Sequence, residues 1–184
     1  MKASRLIFTL LLASSVAVVQ LAAQQTKTDQ RPLKEVRAKA EAGDAESQVE
    51  LGLRYEEGKG VTKDQVEAVK WFRKAAEQNY ADAQNDLGAS FYNGEGVAKD
   101  QVEAVKWFRK AAEQNFAKAQ FNLNVCYYNG EGVAKDYVEA YKWLLLAARQ
   151  GDEDAKKNLT ALESKLTPEQ IADGQKRARE FKPR

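Results

Sequence analysis

The chain has no histidine, one cysteine and three prolines in 184 residues, and each scarcity excludes a class of chemistry. Without histidine there is no imidazole base for a serine or cysteine nucleophile and no imidazole ligand for zinc. The lone Cys126 cannot close an internal disulfide, so no disulfide framework holds this fold. No glycine-rich phosphate loop follows a strand pattern. Charge of one sign is lacking as well, since 29 Lys and Arg stand against 27 Asp and Glu. A nucleic-acid surface normally shows basic excess, so nucleic acid is not an expected partner. With 43% hydrophobic and 30% charged residues the chain is globular rather than disordered. These absences predict a non-enzyme without metal or cofactor.

The longest apolar run, Leu6 to Val19, is too short for a comfortable membrane span. Lys2 and Arg5 precede it, and the small Ala22 and Ala23 follow, then polar Gln24, Gln25 and Thr26. This layout predicts a secretory signal peptide over residues 1–23, cleaved after Ala23, and a polar linker over 24–31. The protein is thus expected to be exported, periplasmic or secreted, and to meet a membrane only through this segment if it is not cleaved. Removing Lys2 and Arg5 leaves 27 basic residues against 27 acidic ones.

What is present is a repeat. Trp71, Trp107 and Trp143 are evenly spaced, and the surrounding segments recur at the same interval. Asp64 to Asn79 reads DQVEAVKWFRKAAEQN, and Asp100 to Asn115 is identical to it. Asp136 to Gly151 reads DYVEAYKWLLLAARQG. Glycine-bearing turns precede each copy, from Gly58, Asn93 and Asn129. A fixed period of roughly 36 residues predicts a solenoid of helix–turn–helix units.

Each period divides into two helices. Asp64, Asp100 and Asp136 stand at N-cap positions, where a carboxylate accepts from free N–H groups of the first turn. The helix that follows is apolar on two faces: Val66, Val69, Phe72 and Ala76 on one, Ala68, Trp71 and Ala75 on the other. Such a helix must be covered on both sides, by its own partner and by the next repeat. The tryptophans are therefore expected in the core rather than in a ligand cage. Asn79, Asn115 and Gly151 tolerate the left-handed conformation that stops a helix. The other helix of each unit starts near Asp44, Asp82 or Lys118. It carries Gly52 and Gly88 where a packing reason must offset a cost of about 1 kcal/mol, and Asn124 stands in the third copy. At the ends the pattern is partial. Residues 32–43 read as a half-repeat, 152–164 as a partial one, and Thr167, Pro168 and Gln170 open a capping helix within 165–184. Its basic residues Lys176, Arg177, Arg179, Lys182 and Arg184 are expected in solvent.

The Leu51-Gly52 and Leu87-Gly88 pairs, the GxGVxKD turns and the tryptophan helices with paired alanines resemble the Sel-one-like repeat family, relatives of the tetratricopeptide repeat. The resemblance covers roughly residues 31–164. It implies an all-α, right-handed α/α superhelical solenoid of about three repeats (44–79, 80–115 and 116–151) inside a repeat domain spanning 32–164. It also implies a scaffold that binds a protein or peptide, in the bacterial envelope or outside the cell. A cysteine-rich branch similar to this family is associated with β-lactam binding or hydrolysis. That alternative relies on a disulfide in each repeat, and this chain has one cysteine.

In such folds the first helix of each unit lines the concave face. Four columns of those helices change between copies: Glu46/Asp82/Lys118, Val49/Asn85/Phe121, Leu53/Ala89/Val125 and Glu56/Tyr92/Tyr128. The expected partner-binding residues are Asp82, Asn85, Tyr92, Lys118, Phe121, Val125 and Tyr128. Asn93 and Asn129 join them as groups able to bond an extended peptide backbone, although both also lead Asn-Gly turns.

Overall fold

A computed structural model describes residues 31–184, so the signal-peptide and linker expectations for 1–30 lie outside the described residues. The described residues form helices without a strand. Helix α1 (Leu33–Glu41) leads into three pairs. These are α2 (Ala45–Glu57) with α3 (Gln65–Glu77), α4 (Ala81–Asn93) with α5 (Gln101–Glu113), and α6 (Ala117–Asn129) with α7 (Tyr137–Arg149). Helices α8 (Glu153–Glu163) and α9 (Pro168–Glu180) close the array. This is an all-α superhelical repeat.

Local chemistry sets the boundaries. The carboxylates of Asp64, Asp100 and Asp136 each accept the backbone N–H of the third helical residue, Glu67, Glu103 and Glu139, at 3.0 Å. Asp44 does the same for Ser47 at 2.8 Å. Helices α4 and α6 start without a side-chain cap, behind Tyr80 and Phe116. At the other ends Asn79 and Asn115 adopt φ 64° and 65°, which stops α3 and α5. Thr167 and Gln170 form a complete capping box on α9.

From α1 to α8 each helix packs on its neighbours in the chain, and the core runs along the array. Trp71, Trp107 and Trp143 are 4–8% exposed, each under a lysine ammonium at 3.9–4.2 Å from the ring centre. The tryptophan column is core. At Gly52 and Gly88 an added Cβ would fall 2.5 Å from the Phe72 ring and 2.7 Å from the Phe108 ring, so the glycines exist to admit phenylalanine. In the third repeat the pair changes together. Asn124 replaces the glycine, and Leu144 replaces the phenylalanine and leaves room for the carboxamide.

Two features bind one repeat to the next. The second glycine of the turn, Gly96 or Gly132, lies on the start of the preceding second helix. A Cβ there would come within 2.0 Å of the Gln65 or Gln101 carbonyl oxygen. A set of carboxamides, each built on one buried glutamine, also recurs at every junction between repeats. Gln84 Nε2 donates to the Ala76 carbonyl at 3.2 Å and to Asn79 Oδ1 at 3.0 Å, and Gln114 Nε2 donates to Gln84 Oε1 at 2.8 Å. Gln120 and Gln150 repeat the arrangement one period later. Gln48, bonded to Ala40 O and Gln78, supplies its N-terminal member.

The last segment keeps Lys176, Arg179, Lys182 and Arg184 exposed as expected, but its helix also has a buried edge. Helices α8 and α9 both pack on α7 rather than on each other. Gly174 admits the Tyr141 ring, Ala178 is buried, and Phe181 meets Trp143 edge-on at 5.5 Å. Arg177 donates to Glu139 and Asp173 at 2.8 and 2.7 Å, and Arg184 N–H reaches the Glu113 carbonyl at 2.9 Å. Small residues every fourth position of α9 produce this buried edge.

Candidate functional site

The first helices α2, α4, α6 and α8 stand side by side, and their changing columns meet across repeats. Asn122 Nδ2 on α6 donates to Asn85 Oδ1 on α4 at 2.9 Å, and Asn85 Nδ2 donates to Asp86 at 3.2 Å. Tyr92 donates its hydroxyl to the Glu131 carboxylate in the turn of the following repeat. Lys165, just past α8, donates to the Tyr128 hydroxyl. The face is thus continuous from one repeat to the next.

Of the residues expected to bind a partner, Asp82, Tyr92, Phe121, Val125 and Tyr128 are half-buried on this face, and Lys118 is exposed at the start of α6. Asn85 is 6% exposed with both ends of its carboxamide bonded, so it offers little to a ligand. Asn93 and Asn129 are exposed at the ends of α4 and α6. Asn129 donates to Glu131 at 3.2 Å within its own turn. Gly94 and Gly130 take up the left-handed positions that follow, with φ 79° at each.

Acids cluster in the first half of the face. Burial pushes the Asp86 carboxyl up to about 7, helped by the negative charge of Asp82. Asp82 is raised by the same loss of solvent, opposed by Lys118. Burial, with Glu95 and Glu57, raises Glu56. The far half carries Lys165 instead, over the Tyr128 ring at 4.8 Å. Between α6, α7 and α8 opens a cavity of about 270 Å³. Val125, Leu144, Ala161 and Leu162 form its apolar wall, and Asn124, Tyr128, Asn158 and Lys165 its polar one. The Leu144 substitution that makes room for Asn124 contributes to this space. Sequence reasoning missed Asp86, Asn158 and Lys165. The column Glu50/Asp86/Asn122 also changes between copies and was the signal for the first.

Among the described residues no acid–base pair of catalytic type emerges. Cys126 is fully buried and its thiol is pushed up to about 12 by burial, so it is a neutral packing group. Among the described residues no group of His, Cys, Asp or Glu has metal-binding geometry. No helix among them is long and apolar enough to cross a membrane.

Stacked helix pairs, a set of carboxamides between them and a continuous face of variable side chains define a helical repeat scaffold. The sequence profile of the Sel1 repeat matches residues 45–80, 81–116 and 117–152, and the chain belongs to the Sel1 repeat family. Proteins of this family generally act as protein-interaction scaffolds. Solved structures agree. A protective antigen present in uropathogenic Escherichia coli strains shares 47% identity over 68% of this chain, at TM-score 0.66. The match covers only 27% of that longer protein. A Sel1 repeat protein of Oxalobacter formigenes shares 41% identity over 70% of this chain and 97% of its own, at TM-score 0.64. Cysteine-rich protein B of Helicobacter pylori shares 25% identity over 68% of this chain and 90% of its own, at TM-score 0.55. No curated protein matches the chain.

Proposed function

We propose that the chain is a non-catalytic scaffold, exported to the envelope or beyond, that holds a protein or peptide partner on the face of its first helices. One observation carries the reading: core packing occupies the Trp, Ala and Gly columns, while Tyr92, Phe121, Val125 and Tyr128 line up half-exposed on a continuous face, the three aromatic rings resting one side on the core. Aromatic and aliphatic groups rimmed by polar ones are a common recognition composition. Asp82, Asn93, Lys118 and Asn129 form the polar rim in this reading, and Asn85 acts as a buried strut beneath it.

The domain division belongs to the same proposal: signal peptide 1–23, linker 24–31, repeats within 32–164 and a capping segment 165–184. Export is supported by the leader-like N-terminus and by the likeness to a protective antigen. The β-lactam alternative has no support from the buried, protonated Cys126.

The test uses a partner captured from an envelope fraction by the mature protein. Tyr92→Ala with Tyr128→Ala should weaken that binding by more than about 1 kcal/mol while the helical circular dichroism spectrum persists. Normal binding by this variant, with loss on Arg179→Ala in the exposed edge of α9, would overturn the reading.

A further inference from the structure

Charge is divided between the two layers of the array. The first helices α2, α4, α6 and α8 hold nine Asp and Glu against four Lys and Arg. In the other layer, α3, α5 and the segment from Pro168 to Arg184 hold eleven Lys and Arg against seven acids. Most of those acids are already neutralised. Glu67 and Glu103 pair with Lys70 and Lys106 at 2.8 Å, Asp173 with Arg177 at 2.7 Å, and Glu113 with Arg184 at 3.4 Å. Arg73, Lys74, Arg109 and Lys110 are exposed, and among the described residues no carboxylate pairs with them. Aromatic rings hold these cations in place instead. Lys74 and Lys110 each lie 3.9 Å from a tryptophan ring centre, Arg73 lies 5.6 Å from that of Phe91, and Arg109 donates to the Tyr127 hydroxyl at 2.7 Å.

The same columns show what a polypeptide covering this layer demands. On α7 the counterparts of Val105, Arg109 and Lys110 are Tyr141, Leu145 and Leu146, and α9 lies there with Gly174 against the Tyr141 ring. Packing groups replace cations where a helix is seated. Helices α3 and α5 keep their cations, and their sequences are identical, unlike those of the first helices. Two identical rows of fixed charge suit a ligand that itself repeats. Val66 and Val102 stand at the head of the rows, 55% and 54% exposed, and Val66 shares a shallow groove with Lys70 and Arg73. Lone apolar groups beside rows of cations match the interfacial zone of a bilayer better than they match a water-soluble polyanion.

We propose that the second-helix layer, continued by the exposed Lys176, Arg179 and Lys182, seats the protein on an anionic phospholipid surface. The cations meet lipid phosphates, and Val66 and Val102 enter the boundary between headgroups and acyl chains. No helix among the described residues is long and apolar enough to cross a membrane, so this attachment is peripheral and reversible. Membrane contact was expected only through residues 1–23; these rows come together only in the fold. A bilayer on this side leaves the acidic first-helix layer open to a protein. Only the place where lipid is met depends on the exported-scaffold reading.

The test is co-sedimentation of the mature chain, which keeps every described residue and drops the apolar leader. The vesicles are phosphatidylcholine alone, or phosphatidylcholine with about a third phosphatidylglycerol. The partition coefficient should be at least about tenfold higher on the anionic vesicles and should fall severalfold between about 0.05 and 0.5 M salt. Lys176→Gln with Arg179→Gln, and separately Arg73→Gln with Arg109→Gln, should each lower it about fivefold or more while the circular dichroism spectrum stays helical. Val66→Ser with Val102→Ser, at exposed positions, should lower it about threefold or more. Lys118→Gln with Lys156→Gln removes two cations from the first-helix layer and should change nothing. Equal partition onto both vesicles, an equal loss in the first-helix pair, or full binding by a folded Arg73 and Arg109 pair would overturn the proposal. Polyphosphate binding as tight as that of the vesicles and indifferent to the valine pair would also overturn it, in favour of a soluble polyanion. These outcomes involve neither Tyr92 nor Tyr128, so capture of a protein partner is judged separately.

Discussion

At the scale of single residues, position in the array decides what a glycine is for. Gly60 and Gly96 occupy the same place in successive turns with φ 73° and 68°. Around Gly60 an added Cβ meets nothing within 4 Å, because no complete repeat precedes it. At Gly96 it would strike the Gln65 carbonyl at 2.0 Å. Gly60→Ala should therefore cost about 1 kcal/mol, the penalty of a left-handed alanine, and Gly96→Ala roughly 3 kcal/mol or more. Urea denaturation of both variants checks this; equal costs would mean the turn does not bear on the preceding helix. Asp86 shows the same dependence on place. Its carboxyl is raised from an ordinary 3.8 to about 7, so the folded chain holds a proton that the unfolded chain releases between those values. Stability conferred through this group is present at low pH and is lost as pH rises from about 4 to 7. Asp82 and Glu56 are shifted in the same direction. Asp86→Asn should raise stability at pH 7.5 and flatten the decline between pH 4.5 and 7.5 without abolishing it. A variant with the wild-type pH profile would show that Asp86 is solvated.

At the scale of helices, most of the second-helix pattern was legible, because capping aspartates, left-handed asparagines and doubled apolar stripes each act within a few residues; Val66, read as part of a covered stripe, is instead 55% exposed in the first turn of its helix. Interactions between repeats were less legible. Gln84 and Gln120 read as ordinary polar residues of a helix, and only the stacked structure shows their carboxamides bonding a carbonyl of the preceding helix and a glutamine of the following one. The buried edge of α9 was hidden for a similar reason: its basic residues dominate the composition, while Gly174 and Ala178 make the contact. Gln84→Met keeps the volume but removes its bonds to the Ala76 carbonyl, Asn79 Oδ1 and the Gln114 amide, leaving the Ala76 carbonyl only the Asn79 N–H and the Gln114 amide only Asn79 Oδ1. It should cost about 1–3 kcal/mol, read as a lower denaturation midpoint. An unchanged midpoint would reduce the carboxamide set to an incidental arrangement.

At the scale of the whole molecule, the array separates packing from recognition. The 36-residue period places tryptophan, alanine and glycine where neighbours stack, and a change in one column is answered in another, as Asn124 is by Leu144. The candidate site was half legible for that reason. Variation between copies pointed to Tyr92, Phe121, Val125 and Tyr128, but could not distinguish the buried strut Asn85 from an exposed contact. Nor could it find Lys165, which lies beyond the last complete repeat and reaches the site only through the fold. The claim that the first-helix face holds a partner is tested most directly by placing a photo-crosslinking phenylalanine analogue at Phe121 or at Val102. Val102 is 54% exposed on the second helix α5, so it reports the surface away from the proposed site. On irradiation of cells exporting each protein, the account predicts a discrete covalent adduct from position 121 and none from position 102. The same adduct from position 102, with none from 121, would contradict it.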